Sequence, residues 1–359
     1  MTGRIAAEIR DEPAAIRATI ATSRGAASEA ARALVQGGVQ RVHVIGNGTS
    51  YHTSLATALV HRRLATTGEP IVIASTAGEF RQYTPDLGPG DAVVGISASG
   101  EFRDVVAVME SLRGRAPTVA IVHNEGSKLT GLADHVILSA GGPSSVPVMT
   151  KTFAATLTAA ILLVTELFGD RRADTAVSDL EQAANSAELA IDAAEPRIGD
   201  LAADLSSAEH VFVVGSGGAY VAALEGALKL KEMALIHAEG SESWEMASGA
   251  ATLIGPTATV VALAPPGPGR DAVIDVAGHC RDWGARVVEI APEPTIDGAD
   301  HLPISAVAQE DLACLDTLPP LALLGDALAR ARGIDPDVPG WTERYRSQGM
   351  THVIGAGER

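Results

Sequence analysis

One sequence pattern occurs twice in this chain and limits the folds that it can adopt. Residues 42–51 read VHVIGNGTSY and residues 211–220 read VFVVGSGGAY, so Val-x-Val-(Ile or Val)-Gly-x-Gly recurs, with a Tyr five positions after the first Gly. In both cases 169 residues separate the matching positions, from Gly46 to Gly215 and from Tyr51 to Tyr220. A β-branched run that ends at Gly before a helical pattern is typical of a strand, a turn and a helix. We therefore interpret the chain as two copies of one α/β subdomain.

Short apolar runs alternate with helical patterns in both halves of the chain. Strands are predicted at 42–45, 71–74, 92–96, 118–122, 135–138, 211–214, 259–263 and 286–290. Helices are predicted at 103–112, from about 218, at 272–283 and at about 310–332. Strands that alternate with helices imply parallel sheets covered on both faces, so we predict an α/β fold.

The same patterns predict the division of the chain into segments. The predicted segments are an N-terminal helical segment (1–40), a first subdomain (41–170), a helical connector (171–204), a second subdomain (205–332) and a C-terminal tail (333–359). The most apolar stretch, 153–168, is too short to span a bilayer and predicts a buried helix.

Charge and composition exclude several classes of function. The chain has a formal net charge of −17, which repels nucleic-acid backbones and anionic membranes, so we expect neither partner. A small anion is not excluded, because local N–H groups act over a few ångströms. The two cysteines, Cys280 and Cys314, provide no disulfide framework, and residues 1–10 contain no long apolar run. We expect no signal peptide and a cytoplasmic location.

Two loops that contain Gly and Ser are candidate anion sites. Residues 46–50 (GNGTS) follow the first predicted strand, and residues 97–100 (SASG) follow the third. Glycines at a strand end let N–H groups approach an anion, and the next helix N-terminus adds a favourable dipole. A turn or helix cap without a ligand is the alternative. Neither copy of the glycine loop matches G-x-G-x-x-G, so we expect no dinucleotide cofactor.

A charged row lies on one predicted helix. Glu225, Lys229 and Glu232 are spaced i, i+4 and i+7 and share one face. The spacing alone favours an exposed row of ion pairs, and the alternative places Glu232 in a cleft as a base with Lys229 nearby. His237 and several carboxylates follow, but no second His or Cys lies at metal-ligand spacing, so no metal site is predicted.

Together these segments resemble the SIS (sugar isomerase) family, in particular the isomerase domain of glucosamine-6-phosphate synthase and its relatives without a glutaminase domain. The resemblance is carried by residues 48–51 (GTSY), 79–81 (EFR), 97–101 (SASGE), 150–153 (TKTF) and 224–239. It implies two SIS subdomains, each a doubly wound, flavodoxin-like parallel sheet. It also implies a homodimer and a sugar-phosphate substrate, and we expect no cofactor. The chain has no N-terminal Cys nucleophile, so we expect no glutamine-driven amination.

The resemblance also implies roles for individual residues. Glu232 matches the proton-transfer Glu, and Lys229 matches a position that contacts the sugar. The positions that match the family's substrate and phosphate contacts are Gly48, Thr49, Ser50, Ser97, Ser99 and Thr150.

Three positions depart from the family pattern. Phe102 replaces the last hydroxyl of the phosphate loop, and Arg103 beside it is the expected substitute. The family's ring-opening His falls on Ser248, which we expect to contact the substrate; a hydroxyl does not shuttle protons near neutral pH as imidazole does. His237 and His352 are the candidate replacements. The family's C-terminal Lys has no match, and the tail carries Arg344, Arg346 and His352.

We therefore expect an enzyme that acts on an amino- or keto-hexose 6-phosphate by removing a proton next to a carbonyl or imine, as an isomerase or deaminase. One alternative is a dehydratase or lyase that acts on an N-acetylhexosamine 6-phosphate. The other is a regulator that binds a sugar phosphate without turnover.

Overall fold

A computed structural model of the chain describes residues 3–144, 146–305 and 309–347, and within them ten strands form two parallel sheets. The strands are β1 (Arg41–Gly46), β2 (Ile71–Thr76), β3 (Asp91–Ile96), β4 (Thr118–Val122), β5 (His135–Leu138), β6 (His210–Gly215), β7 (His237–Glu242), β8 (Ala258–Leu263), β9 (Arg286–Ala291) and β10 (Asp300–Pro303). The helices are α1 (Arg4–Arg10), α2 (Glu12–Gln36), α3 (Thr49–Leu64), α4 (Ala77–Gln82), α5 (Arg103–Ser111), α6 (Lys151–Glu166), α7 (Asp170–Asp204), α8 (Gly218–Ala234), α9 (Ser243–Ser248), α10 (Arg270–Asp282), α11 (Cys314–Ala331) and α12 (Trp341–Ser347). Short 3-10 turns occur at Lys128–Gly131, Ala250–Leu253 and Glu310–Leu312.

The two sheets have the same strand order. The first is β2-β1-β3-β4-β5 and the second is β7-β6-β8-β9-β10, with parallel pairing throughout. The chain reverses its direction across the sheet between β1 and β3, and again between β6 and β8. Such reversals are the topological switch points of the flavodoxin-like fold, where ligands bind outside the carboxyl ends of the strands. The predicted pair of doubly wound, flavodoxin-like subdomains is confirmed.

The described residues form two compact units, each with one sheet. The first unit comprises 14–144, 151–180 and 340–347 and contains the first sheet. The second unit comprises 3–13, 146–150, 181–305 and 309–339 and contains the second sheet.

The central strands of each unit are buried on both faces. Every residue of β3, β4 and β8 is buried, as expected where helices cover both sides of a parallel sheet. Helix α6 is also buried along almost its whole length, which confirms the buried helix predicted at 153–168. Among the described residues, one helical stretch, Glu310–Ala331, is long and apolar enough to cross a bilayer. All of that stretch's apolar window lies buried within the chain, as in the core helix of a globular unit.

The sequence patterns did not predict β7 and β10, the two edge strands of the second sheet. Strand β7 reads HAEGSE and β10 reads DHLP, so neither forms an apolar run. An edge strand has one strand neighbour and less cover, so it tolerates polar residues that hide its period. Residues 236–239, singled out for their His and Glu, therefore lie at and within β7.

Candidate functional site

The loop after β1 opens helix α3 at the switch point of the first sheet. Gly48 precedes the helix with φ 54° and ψ −128°, a conformation that glycine adopts without the steric penalty of a Cβ. Gly46 has no room for a Cβ because the backbone of Ser50 lies against it. Thr49 and Ser50 are buried in the first turn. The two glycines therefore let the loop fold tightly over the start of the helix, with helix N–H groups at the sheet edge.

The loop after β3 lies beside the loop after β1, because β1 and β3 are hydrogen-bonded neighbours. Ser97 Oγ accepts a hydrogen bond from Gly100 N at 3.1 Å, and Ser99 Oγ accepts one from Glu101 N at 3.2 Å. The two hydroxyl oxygens are 3.4 Å apart. The first unit therefore places the two loops side by side at the switch point of its sheet, with the Ser97 and Ser99 hydroxyls close together.

Phe102 and Arg103 connect this loop to helix α5. Phe102 caps α5 with an extended backbone, and its side chain packs against the hydrophobic core of the first unit. Arg103 begins α5 with a half-exposed side chain, and its Nη2 donates to Asp104 Oδ1 at 3.4 Å. Asp104 Oδ1 also accepts from Arg81 Nη1 at 2.9 Å. The two guanidinium groups therefore meet at one carboxylate near the start of α5.

Thr150 and Ser248 belong to the second unit. Thr150 directly precedes α6, and its buried hydroxyl finds no hydrogen-bond partner among the described residues. A buried hydroxyl without a partner carries a desolvation penalty that a ligand can relieve. Ser248 ends α9, and its Oγ donates a hydrogen bond to the carbonyl oxygen of Trp244 at 2.7 Å. The hydroxyl proton is therefore engaged within the same helix.

The charged row on α8 is buried, so the interpretation as an exposed ion-pair row is wrong. Lys229 Nζ lies 3.0 Å from Glu225 Oε1 and 2.8 Å from Glu232 Oε2. The Glu225 and Lys229 side chains are at most 2% exposed, whereas that of Glu232 is 27% exposed. The row therefore runs from the core to the surface and ends at the Glu232 carboxylate.

The electrostatics of this row keep Lys229 charged. Burial by itself lowers the pKa of Lys229, but the carboxylates of Glu225 and Glu232 outweigh it and hold that pKa above its ordinary value. Lys229 is therefore an ammonium group at neutral pH, held between two carboxylates, and it can donate hydrogen bonds but not accept a proton.

Glu12, the first residue of α2, is a third carboxyl group near this row, and the sequence patterns gave no indication of it. Burial raises the pKa of Glu12 to about 8, and the nearby Glu225 carboxylate adds to the rise while Lys229 opposes it. Glu12 lies more than two hundred residues before Glu225, and an acidic residue in a first helical turn is common for local reasons. Nothing in its local sequence distinguished it from an exposed helix start.

His237 lies at the start of β7, shortly after the end of α8, whereas His352, the other candidate replacement, lies outside the described residues. It is exposed, and its Nδ1 is 3.5 Å from Nδ1 of His210, the first residue of β6. Because His237 follows Glu232 by five residues, both lie at the same end of the second sheet, opposite the carboxyl ends of the strands. Leu235 joins the two elements in the left-handed region, with φ 51°.

The second unit has a cavity at its own switch point, which the sequence patterns did not predict. The cavity has a volume of about 570 Å³ and is lined by Ser216, Gly217, Glu242, Trp244, Asp271, Asp275 and Glu310, among others. Four of these side chains are carboxylates. In the described part of the chain, no group of three or more His, Cys, Asp or Glu side chains could hold a metal ion.

Comparison with known proteins agrees with this architecture. The SIS domain family matches residues 38–166 and 204–331. The glutamine–fructose-6-phosphate aminotransferase (isomerizing) of Methanothermobacter thermautotrophicus is 34% identical over 339 residues, which cover 92% of this chain and 55% of that protein. The chain thus spans about half the length of this curated relative.

Solved structures show the same fold at lower identity. The C-terminal domain of glucosamine-fructose-6-phosphate aminotransferase from Francisella tularensis superposes with a TM-score of 0.85 at 22% identity, covering 94% of this chain and 99% of that one. Glucosamine-6-phosphate deaminase from Thermotoga maritima superposes with a TM-score of 0.74 at 22% identity, covering 94% and 98%. With two family matches that together span most of its length, the chain belongs to the SIS domain family.

Proposed function

We propose that this protein is a phosphosugar-processing enzyme that acts on an amino- or keto-hexose 6-phosphate as an isomerase or deaminase. The observation that carries the proposal is the buried charged row on α8. At the end of the row nearest the surface, Lys229 Nζ lies 2.8 Å from Glu232 Oε2. A buried, charged row is costly to fold, which favours a functional role over a structural one.

Glu232 is the proposed acid and base. A carboxylate that removes a proton from the carbon next to a carbonyl or imine, and returns it elsewhere, supplies the common step of isomerisation and deamination. General acid–base catalysis of this kind contributes about 10²–10⁴-fold to the rate. Lys229, fixed by Glu225, positions one Glu232 oxygen and supplies positive charge near the carboxylate. His237 is the proposed proton shuttle in place of the family His, because it lies at the same end of the sheet.

The first unit supplies the proposed phosphate site. Ser97 and Ser99 present hydroxyls 3.4 Å apart beside the N-terminus of α3, which carries Thr49 and Ser50 after Gly48. Hydroxyls and helix N–H groups bind phosphate without a net positive surface, consistent with an acidic chain. Arg103 is the proposed charge on the other side of the loop, with Thr150 and Ser248 as further substrate contacts.

The relatives support the substrate class. The Methanothermobacter relative is named for fructose 6-phosphate and the Thermotoga structure for glucosamine 6-phosphate. Both names describe hexose 6-phosphates, one keto and one amino. We also propose the family's homodimer and the sequence-based boundaries of 41–170 and 205–332 for the two subdomains.

The test is a panel of hexose and hexosamine 6-phosphates incubated with the chain in D₂O and followed by NMR. We expect deuterium at C2 together with isomerised or deaminated product. Glu232→Gln should remove exchange and product while binding persists, and Glu110→Gln, an exposed Glu on α5, should leave both unchanged. Binding without exchange would establish the regulator instead, and a dehydrated product would establish the lyase. Full turnover by the Glu232→Gln variant would reject Glu232 as the base.

A further inference from the structure

The two copies of the repeated loop share one backbone conformation. Gly217 precedes α8 with φ 57° and ψ −127°, within a few degrees of the angles at Gly48 before α3. Each glycine follows a six-residue strand at the switch point of its sheet. The second copy therefore has the same helix N-terminus at the same place, in a geometry that suits an anion.

In the second copy, a side chain of the protein occupies this place. The Glu310 carboxylate lies where a Cβ on Gly217 would be, and its stem fills the equivalent space at Gly267. The backbone N–H of Gly218, the first residue of α8, interacts with this carboxylate. Burial raises the pKa of Glu310, and the Gly218 N–H opposes that rise by stabilising the charged form. The Glu310 carboxylate thus lies where an anion would bind at the N-terminus of α8.

A second carboxylate reinforces the difference between the copies. Glu242 ends β7 opposite Gly215, where Thr76 ends β2 opposite Gly46 in the first copy. Thr76 caps α4 with a neutral hydroxyl that accepts from Glu79 N at 3.2 Å. Glu242 caps α9 with a carboxylate that accepts from Ser216 Oγ, Ser243 Oγ, Trp244 N and Glu245 N. These donors outweigh burial and lower the pKa of Glu242, which keeps a charge beside the loop.

The loop after the third strand of each sheet also differs between the two copies. Residues 97–100 (SASG) follow β3, whereas residues 264–269 (APPGPG) follow β8. The prolines have no N–H group, and the segment has no hydroxyl. The second copy therefore has fewer donors and more negative charge than the first.

We propose that Glu310 is a built-in anion that closes the second copy of the loop to a bound phosphate. This role of Glu310 does not rest on the proposed function. The place that Glu310 occupies suits a singly charged carboxylate better than a dianion, because the Glu242 carboxylate lines the same cavity.

The test is anion rescue of a Glu310→Ala chain. The variant should unfold at a lower temperature than the unaltered chain, since the Gly218 N–H loses its partner. Acetate should restore the unfolding temperature more than chloride at equal ionic strength, and more than phosphate does. Asp271→Ala removes an exposed carboxylate from the same cavity without touching Gly218, so it should show no acetate-specific rescue. Equal effects of acetate and chloride on the Glu310→Ala chain would overturn the proposal.

A second measurement uses the unaltered chain, in case Glu310→Ala does not fold. The amide proton of Gly218 should shift as pH passes through the titration of Glu310, and Glu310→Gln should abolish that shift. A Gly218 amide that titrates identically in the Glu310→Gln chain would show that the carboxylate does not hold it. Neither measurement depends on Ser97, Ser99 or turnover, so failure here is distinguishable from failure of the proposed function.

Discussion

Lys229 Nζ lies 3.0 Å from Glu225 Oε1, and both side chains are buried in the second unit. A buried ion pair adds little net stability, but removing one partner leaves a buried, unpaired charge. Lys229→Met should therefore lower the free energy of unfolding by about 3–5 kcal/mol. Adding Glu225→Gln should recover part of that loss, as measured by urea unfolding at one pH. A double variant less stable than Lys229→Met would contradict the assignment of Glu225 as the buried partner.

Glu12 should make the chain less stable as the pH rises. Its pKa is raised from 4.5 to about 8, so between these values the folded chain holds a proton that the unfolded chain releases. The free energy of unfolding should fall across this window and level off above about pH 8. Glu12→Gln should remove this contribution, measured by urea unfolding at several pH values. Glu29→Gln, an exposed change on the same helix, should keep the slope of the unaltered chain.

Leu235 is the only residue other than glycine with a positive φ among the described residues, and its side chain is half exposed. A Cβ in the left-handed region carries a penalty of about 1–2 kcal/mol. Leu235→Gly should therefore raise the free energy of unfolding by about 1 kcal/mol, since glycine loses some entropy in return. Leu235→Ala keeps the Cβ and should give no such gain in the same denaturation experiment. An equal gain from alanine would show that the backbone is not strained there.

Ser99 should discriminate phosphorylated from unphosphorylated sugars. A hydrogen bond to a charged group contributes about 1.5–3 kcal/mol, so Ser99→Ala should weaken hexose 6-phosphate binding about tenfold or more. Binding of the unphosphorylated sugar should not change, as measured by calorimetry. Ser111→Ala, an exposed hydroxyl at the end of α5, is the matched control. Equal loss for both sugars would place the phosphate elsewhere.

The repeated strand, turn and helix was readable from the sequence because its signals are local. Glycines at strand ends and β-branched runs appear in neighbouring residues, so every described strand except β7 and β10 was predicted. The edge strands β7 and β10 were not, because their polar sequences have no period to detect. The sequence patterns also could not predict which helix faces are buried by residues that are distant in the chain. Spacing placed Glu225, Lys229 and Glu232 on one face, but only packing decides whether that face is exposed or buried. Glu12 has no local signal at all.

The backbone angles at Gly48 and Gly217 differ by only a few degrees. An alanine at either position meets the same unfavourable φ, so the conformational component of the change is shared by the two sites. Any difference between the effects of the two alanine substitutions on stability therefore comes from the groups that each helix start contacts. Because the loop is duplicated, each copy serves as a control for the other within one chain, at the same temperature, salt concentration and pH.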